Sequence, residues 1–387
     1  MREGRERANL GDLHHIPSPV GENQRPTAAM TASSAPSASS APSAGAGIAL
    51  ILTSLACWTT IPLFLRSFIH QVDGWTTNGW RYGFSALLWL PLLLFAMQRG
   101  TIPQGLWRAA LWPSVFNTGA QVCFGLAPYF VTPGLMTFSM RLQIVFVTFG
   151  AAMLFPAERK IVRLPGFIVG IVLVVVGTSL TIYLQPGGLG RADAAGVALS
   201  IASGLLYAGY ALSVRATMHG MPPLLAFSAV SQYTAAMMLV LMLVFARDLQ
   251  TRQHDLGFGV LHLSGVQWFM LLSSAVIGIG IGHTAYFKSI QALGLAVSAG
   301  VVQLQPITVS IVAPFLFPND QHLTGAQWAT GLLAVSGAAT MLVTQHLASR
   351  TKHVAPIDEF DNLPVDPDVA LVAQSNETDP SKSSAGG

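Results

Sequence analysis

Ten long apolar stretches recur along the chain, roughly at 47–68, 75–97, 107–128, 132–154, 162–184, 195–215, 223–246, 265–287, 293–317 and 324–347. A helix needs about 20 such residues to cross the hydrocarbon of a bilayer, where every backbone polar group must be paired within the chain. The gaps between stretches are short, and several hold turn formers such as Gln185-Pro186-Gly187-Gly188 and Met221-Pro222-Pro223. The gap at 247–264 is the longest. This pattern predicts an all-α integral membrane protein with about ten transmembrane helices.

The ends read differently. Residues 28–45 are almost all Ala, Ser, Pro, Thr and Gly, a composition that builds no core. Residues 1–45 are expected to be a disordered polar tail. No apolar run with a cleavage site precedes the first stretch, which argues against a signal peptide. Glu3, Glu6, Asp12 and Glu22 argue against an organelle transit peptide. Residues 348–387 read as a second disordered tail, acidic through Asp358, Glu359, Asp361, Asp366 and Asp368.

Composition agrees. Of 387 residues 52% are hydrophobic and 10% charged, against ~25% charged in soluble domains. The mean hydropathy is +0.54. A net charge of +3 gives no reason to expect nucleic acid as a partner. Cys57 and Cys123 lie inside apolar runs and read as packed small hydrophobes.

Lysine and arginine in short loops orient a membrane protein. With the N-terminus in the cytoplasm, the inner side holds Arg99, Arg108, Arg159, Lys160, Arg163, Arg215, Lys288, Arg350 and Lys352. The outer side holds Arg66, Arg191, Arg247 and Arg252. The expected placement is the plasma membrane (the inner membrane if bacterial), multi-pass, with both termini cytoplasmic.

The two halves of the chain resemble each other. At an offset of 149, Gly47-Ile48-Ala49-Leu50 meets Gly196-Val197-Ala198-Leu199, Ser54 meets Ser203, Trp58 meets Tyr207 and Arg66 meets Arg215. At an offset of 162, Arg141-Leu142-Gln143 meets Gln303-Leu304-Gln305, and Leu154-Phe155-Pro156 meets Leu316-Phe317-Pro318. Arg81-Tyr82 meets Gln232-Tyr233, and Gln121 meets His283. The repeats are 46–184 and 192–347. Five spans per half is an odd number, so the second half enters from the opposite side. Inverted-topology repeats typify secondary transporters with a site near the midplane.

On these features the sequence resembles the drug/metabolite transporter superfamily, specifically its ten-helix EamA-type members, over about 46–347. Each half opens with a Gly-led helix bearing an aromatic, Trp58 or Tyr207. Its fourth helix ends in an apolar-then-acidic turn, Phe155-Pro156-Ala157-Glu158 or Phe317-Pro318-Asn319-Asp320. A Gly-rich fifth helix follows, with Gly166, Gly170 and Gly177, or Gly325, Gly331 and Gly337. The family usually has Gly-Glu at this turn, so Ala-Glu and Asn-Asp depart from it. Pro306 stands where the family often has a proline. The resemblance implies a plasma-membrane carrier with inward and outward states, moving small metabolites or drugs.

Charges deep in a span are expensive and mark function. Arg141 lies near the middle of the fourth stretch, with no Asp or Glu inside any stretch to pair with it. Thr137, Arg141 and Thr148 share one helical face, and Gln303, Pro306 and Ser310 repeat part of that stripe. Two readings of Arg141 stand: contact with an anionic or polar part of a solute, or packing against helix-end carbonyls. Arg81 reads as a structural anchor, either inside the second helix or snorkelling to the outer interface. His283 follows Gly278, Gly280 and Gly282 and reads as a proton relay, a solute ligand or a packed histidine. The glycine run reads as a packing face or a hinge. Trp58, Tyr207, Tyr210 and Tyr286 are lining candidates, with plain packing as the alternative. Glu158 is expected to cap the fifth helix or pair with nearby basic groups.

The expected solute-binding set is therefore Arg141, Gln303, Gln305, His283, Gln121, Trp58 and Tyr207. The expected function is secondary active transport, with export of a neutral or anionic solute by alternating access. The alternatives are a non-saturable channel and a non-transporting scaffold. A cation/proton antiporter relying on a membrane-embedded Glu is disfavoured, since no such Glu is present. No enzyme motif, metal-ligand cluster or cofactor signature is found. Expected partners are a small-molecule solute and the lipid bilayer. A proton or another ion is open as coupling partner, and the chain as monomer or homodimer.

Overall fold

The computed structural model describes residues 43–156, 159–188, 190–320 and 322–350. The expected tails at 1–45 and 348–387 fall almost entirely outside the described residues, as does Glu158.

The apolar stretches form helices whose ends are set by local chemistry. The Ser43 side chain accepts from Ala46 N at 3.3 Å and starts α1 (Ala44–Ser67). Asp73 starts α2 (Gly74–Gln98), its Oδ1 accepting from Trp75 N at 2.8 Å and Thr76 N at 3.2 Å. Then come α3 (Leu106–Leu126), α4 (Pro133–Leu154), α5 (Pro165–Tyr183), α6 (Arg191–Thr217) and α7 (Pro223–Phe245). Pro133, Pro165 and Pro223 each occupy a first helical position, where the missing N–H costs nothing. The helix α8 (Gly265–Leu293) begins at a Ser264–Gln267 capping box. The next, α9, comes in two pieces, Leu295–Val302 and Gln305–Leu316, and α10 is Gly325–Arg350.

Nine of these helices are long and apolar enough to cross a membrane among the described residues. The exception to the ten-span expectation is α3. At 21 residues it reaches about 31 Å, but Arg108, Asn117, Thr118 and Gln121 dilute its apolar character. The outward faces carry side chains suited to lipid, such as Met153, Phe269 and Phe315.

Three helices depart from the continuous spans the sequence predicts. In α4 the α-helix stops at Ser139, passes through a tight 3₁₀ turn at Met140–Leu142 and resumes at Gln143. In α9 it stops at Val302 and resumes at Gln305. The two interruptions occupy corresponding positions at the 162-residue offset. In α8, Val276–Gly282 widens into a π-helix. A Cβ on Gly278 would stand 2.2 Å from Ile61, and one on Gly282 2.7 Å from the Trp58 indole, whereas Gly280 meets open space. The first and third glycines thus make a packing face against α1.

The main packing pairs are α1 with α8, α3 with α6, α2 with α7, α5 with α10, α4 with α6, and α1 with α9. Exchanging each helix of the first half with its counterpart in the second leaves these pairs unchanged. The glycine-rich fifth helices explain the closest pair. A Cβ on Gly170 would lie 2.8 Å from the Gly337 carbonyl, and one on Gly177 2.5 Å from Ala334 N. Small residues let two backbones touch where lipid supplies no hydrophobic drive. Thr181 and Thr330 hydroxyls meet at 2.9 Å along the same seam.

Candidate functional site

Seven helices leave a cavity of about 200 Å³ between the halves, lined from α1, α2, α3, α4, α6, α8 and α9. It brings together all seven residues of the expected set: Trp58, Gln121, Arg141, Tyr207, His283, Gln303 and Gln305. It also takes in Tyr210 and Tyr286, together with Arg81, Tyr82, Asn117 and Gln143. Thr137, Thr148, Pro306 and Ser310 do not line it. The Thr137 hydroxyl donates to Pro133 O at 2.8 Å and that of Thr148 to Ile144 O at 2.7 Å, so both are turned back onto their own helix. The 3₁₀ turn also breaks the register that would put Thr148 below Arg141.

The breaks in α4 and α9 place the central polar groups. Arg141 sits in the 3₁₀ turn, and Gln303 and Gln305 flank the gap in α9. Arg141 Nη1 donates to Gln303 Oε1 at 2.9 Å, and its Nη2 to Gln305 Oε1 at 3.3 Å. Its Nε donates to Thr137 O at 3.3 Å. The expectation that Arg141 lacks a partner is therefore corrected. In place of a carboxylate, neutral amide oxygens from the opposite half accept from the guanidinium. Gln305 Nε2 in turn donates to Trp58 O at 2.8 Å, and Thr59 and Thr308 hydroxyls meet at 2.6 Å. One network thus ties α1, α4 and α9 at the breaks. Gly204 of α6 admits the turn, because a Cβ there would lie 2.9 Å from Met140 O.

His283 is held by its surroundings. Its Nδ1 lies 3.0 Å from Gly278 O, and a carbonyl only accepts, so Nδ1 carries a hydrogen, which leaves Nε2 as the acceptor in the neutral ring. Its ring stacks on Phe227 at 4.4 Å and meets Trp58 edge-on at 5.2 Å. Trp58 Nε1 donates to the same Gly278 carbonyl at 3.2 Å. Tyr286 packs on Trp58 at 5.0 Å and Tyr207 on Phe124 at 6.5 Å. The amide Nδ2 of Asn78 donates to the backbone carbonyl of Gln121 at 3.0 Å.

Arg81 does not snorkel. It is 2% exposed and faces the cavity, with Nε donating to Ser274 Oγ at 2.8 Å. Its counterpart Gln232 donates instead to Ala86 O of α2, outside the cavity lining. No Asp or Glu stands among the described residues that line the cavity. Tyr82, Asn117 and Gln143 were missed as lining residues. Gln143 carried a signal, since it repeats Gln305, but nothing in the stripe of Thr137 and Arg141 pointed to Tyr82 or Asn117.

No curated protein matches the chain. A solved crystal structure of a protein aligns at 15% identity, over 80% of this chain and 100% of that one, with a TM-score of 0.53, and so shares its fold. The model of the EamA-like transporter family matches residues 194–343, so the second half of this multi-pass membrane protein is similar to the EamA-like transporters.

Proposed function

We propose that the chain is a secondary active transporter that exports a small neutral or anionic solute across the plasma membrane by alternating access. The carrying observation is the cavity at the junction of the halves, where α4 and α9 both break and turn polar groups inward. Discontinuous helices around a midplane site are the usual construction of such carriers. The interchangeable packing pairs support inverted repeats at 46–184 and 192–347 as the two elements that rock against each other. The charge count in the loops supports cytoplasmic termini. His283, with one nitrogen fixed and one accepting, supports proton coupling as the first coupling to test.

The test is flux into liposomes holding the purified full chain, with radiolabelled amino acids, purines and small organic acids, run with and without a pH gradient. Saturable uptake with mutual competition is the expected result. Linear flux without saturation would replace the carrier with a channel. No flux for any class would leave a scaffold.

A further inference from the structure

The two guanidiniums in the cavity stand in different states. Arg141 is committed to three oxygens. Arg81 donates from Nε to Ser274 Oγ, and its buried Nη1 has no hydrogen-bond partner among the described residues. Ser274 is a neutral acceptor whose own hydroxyl donates to Leu271 O at 2.6 Å. Arginine keeps its proton in proteins, and an unpaired buried cation costs several kcal/mol. The described residues of the lining supply no carboxylate to offset that cost.

We infer that the Arg81 guanidinium is the anion-recognition point of the cavity, and that its ligand is a small organic monoanion with a flat, unsaturated body. The inference rests on the carrier reading above and names the solute class for the same site. One uncommitted guanidinium fits one negative group. The second half adds no equivalent, because Gln232 is bonded to Ala86 O. The body of the ligand meets Trp58, Tyr82, Tyr207, Tyr210 and Tyr286, whose faces and edges favour another ring. The volume of about 200 Å³ falls below the ~300–1,000 Å³ of drug-sized sites. A monocyclic aromatic carboxylate has the right charge, shape and size. Inorganic anions share the charge alone.

Phenylacetate, its neutral isostere phenylacetamide, phenethylamine, acetate and chloride are suitable probes. Binding of each to the purified full chain in nanodiscs is read by tryptophan fluorescence and thermal shift. Phenylacetate is expected to bind at least tenfold more tightly than phenylacetamide and to exceed acetate and chloride by a similar factor. Arg81→Gln removes the preference for the acid, and Arg81→Lys keeps part of it. Equal binding of phenylacetate and phenylacetamide by the unaltered chain overturns the inference, even if every Arg81 variant fails to fold. Acetate or chloride binding as tightly as phenylacetate overturns the flat-body part. Counterflow in liposomes separates the two readings. Arg81-dependent binding of phenylacetate without counterflow sustains the site and sinks the carrier. Saturable counterflow of neutral solutes, with no preference for the acid, sustains the carrier and sinks the site.

Discussion

The guanidinium of Arg66, at the end of α1, holds both carboxylate oxygens of Asp320, in the turn between α9 and α10, at 2.8 Å each. Nη1 of Arg66 also donates to Pro128 O at 2.5 Å, which adds the α3–α4 turn to the same knot. Its repeat counterpart Arg215 lies over the Phe155 ring at 4.1 Å, at the matching end of α4. Each half thus ends its first helix with an arginine directed at the turn after a fourth helix. The pair is a bidentate, charge-assisted contact, but its side chains are 16% and 21% exposed, so water screens part of it. Asp320→Asn is expected to lower stability by about 1–2 kcal/mol, read as a drop in the thermal unfolding midpoint that shrinks at high salt. Exchanging the two charges, Arg66→Asp with Asp320→Arg, should restore part of the loss. If the single variant melts like the parent at low salt, the pair contributes nothing.

The α5–α10 seam makes a sharper prediction. A methyl group at position 170 would press on backbone atoms, Gly337 O at 2.8 Å and Met341 N at 3.0 Å, which cannot rotate away. Gly170→Ala should therefore cost about 1–3 kcal/mol through overpacking. Gly280→Ala meets nothing within 4 Å and should be neutral to within about 1 kcal/mol. Parallel thermal melts of the two variants check this. A neutral Gly170→Ala would mean that the two helices are not in backbone contact.

Much of this was legible in the residues. Runs of apolar side chains locate spans because a bilayer leaves the backbone few alternatives. Midspan polar residues locate the cavity because lipid would not accept them, which is why the seven expected residues gather in one place. The breaks in α4 and α9 were not legible. Their cause is tertiary: the Met140–Leu142 turn fits where Gly204 leaves room, and only Pro306 hints at the gap before it. The Arg141 amide partners were hidden for a related reason. They lie more than 160 positions away in sequence, and a neutral amide carries no charge that would mark it as the partner of a guanidinium. Of the two placements open for Arg81, the structure takes the one inside the second helix, a choice that position along a helix does not reveal because it does not show which neighbour covers the side chain.

The start of α2 gives a pH prediction. Burial raises the Asp73 carboxyl above its ordinary 3.8, although bonds from Thr76, Trp75 and Arg247 pull the other way. A carboxyl whose folded pKa lies above its unfolded value binds protons more tightly in the folded state. Its contribution to stability therefore falls as pH rises from 3.8 through the raised value, and is flat beyond. Relative to an Asp73→Asn variant, the parent chain should gain stability on acidification across that window. Thermal midpoints of both chains from pH 7 to pH 3.5 measure the difference. A difference that moves the opposite way would mean that the capping bonds outweigh burial.

The Arg141 network yields two substitutions of opposite sign. Gln305→Leu deletes the acceptor of Nη2 and the donor to Trp58 O. It removes one acceptor from the Arg141 guanidinium and the donor to the Trp58 carbonyl, a loss of about 2–4 kcal/mol. Gln303→Glu keeps the shape of the side chain and turns the 2.9 Å contact with Nη1 into an ion pair. The guanidinium is already desolvated in the parent, so only the new carboxylate has hydration to lose. A net gain of about 1 kcal/mol is expected from the stronger charge-assisted bond. The thermal midpoint should therefore fall for Gln305→Leu and rise for Gln303→Glu. On the carrier reading, α4 and α9 must shift against each other during transport. The more stable Gln303→Glu chain should then move solute more slowly, by about fivefold if the full gain must be surrendered at each cycle. A variant that is both more stable and equally fast would show that the Arg141–Gln303 contact travels intact through the cycle.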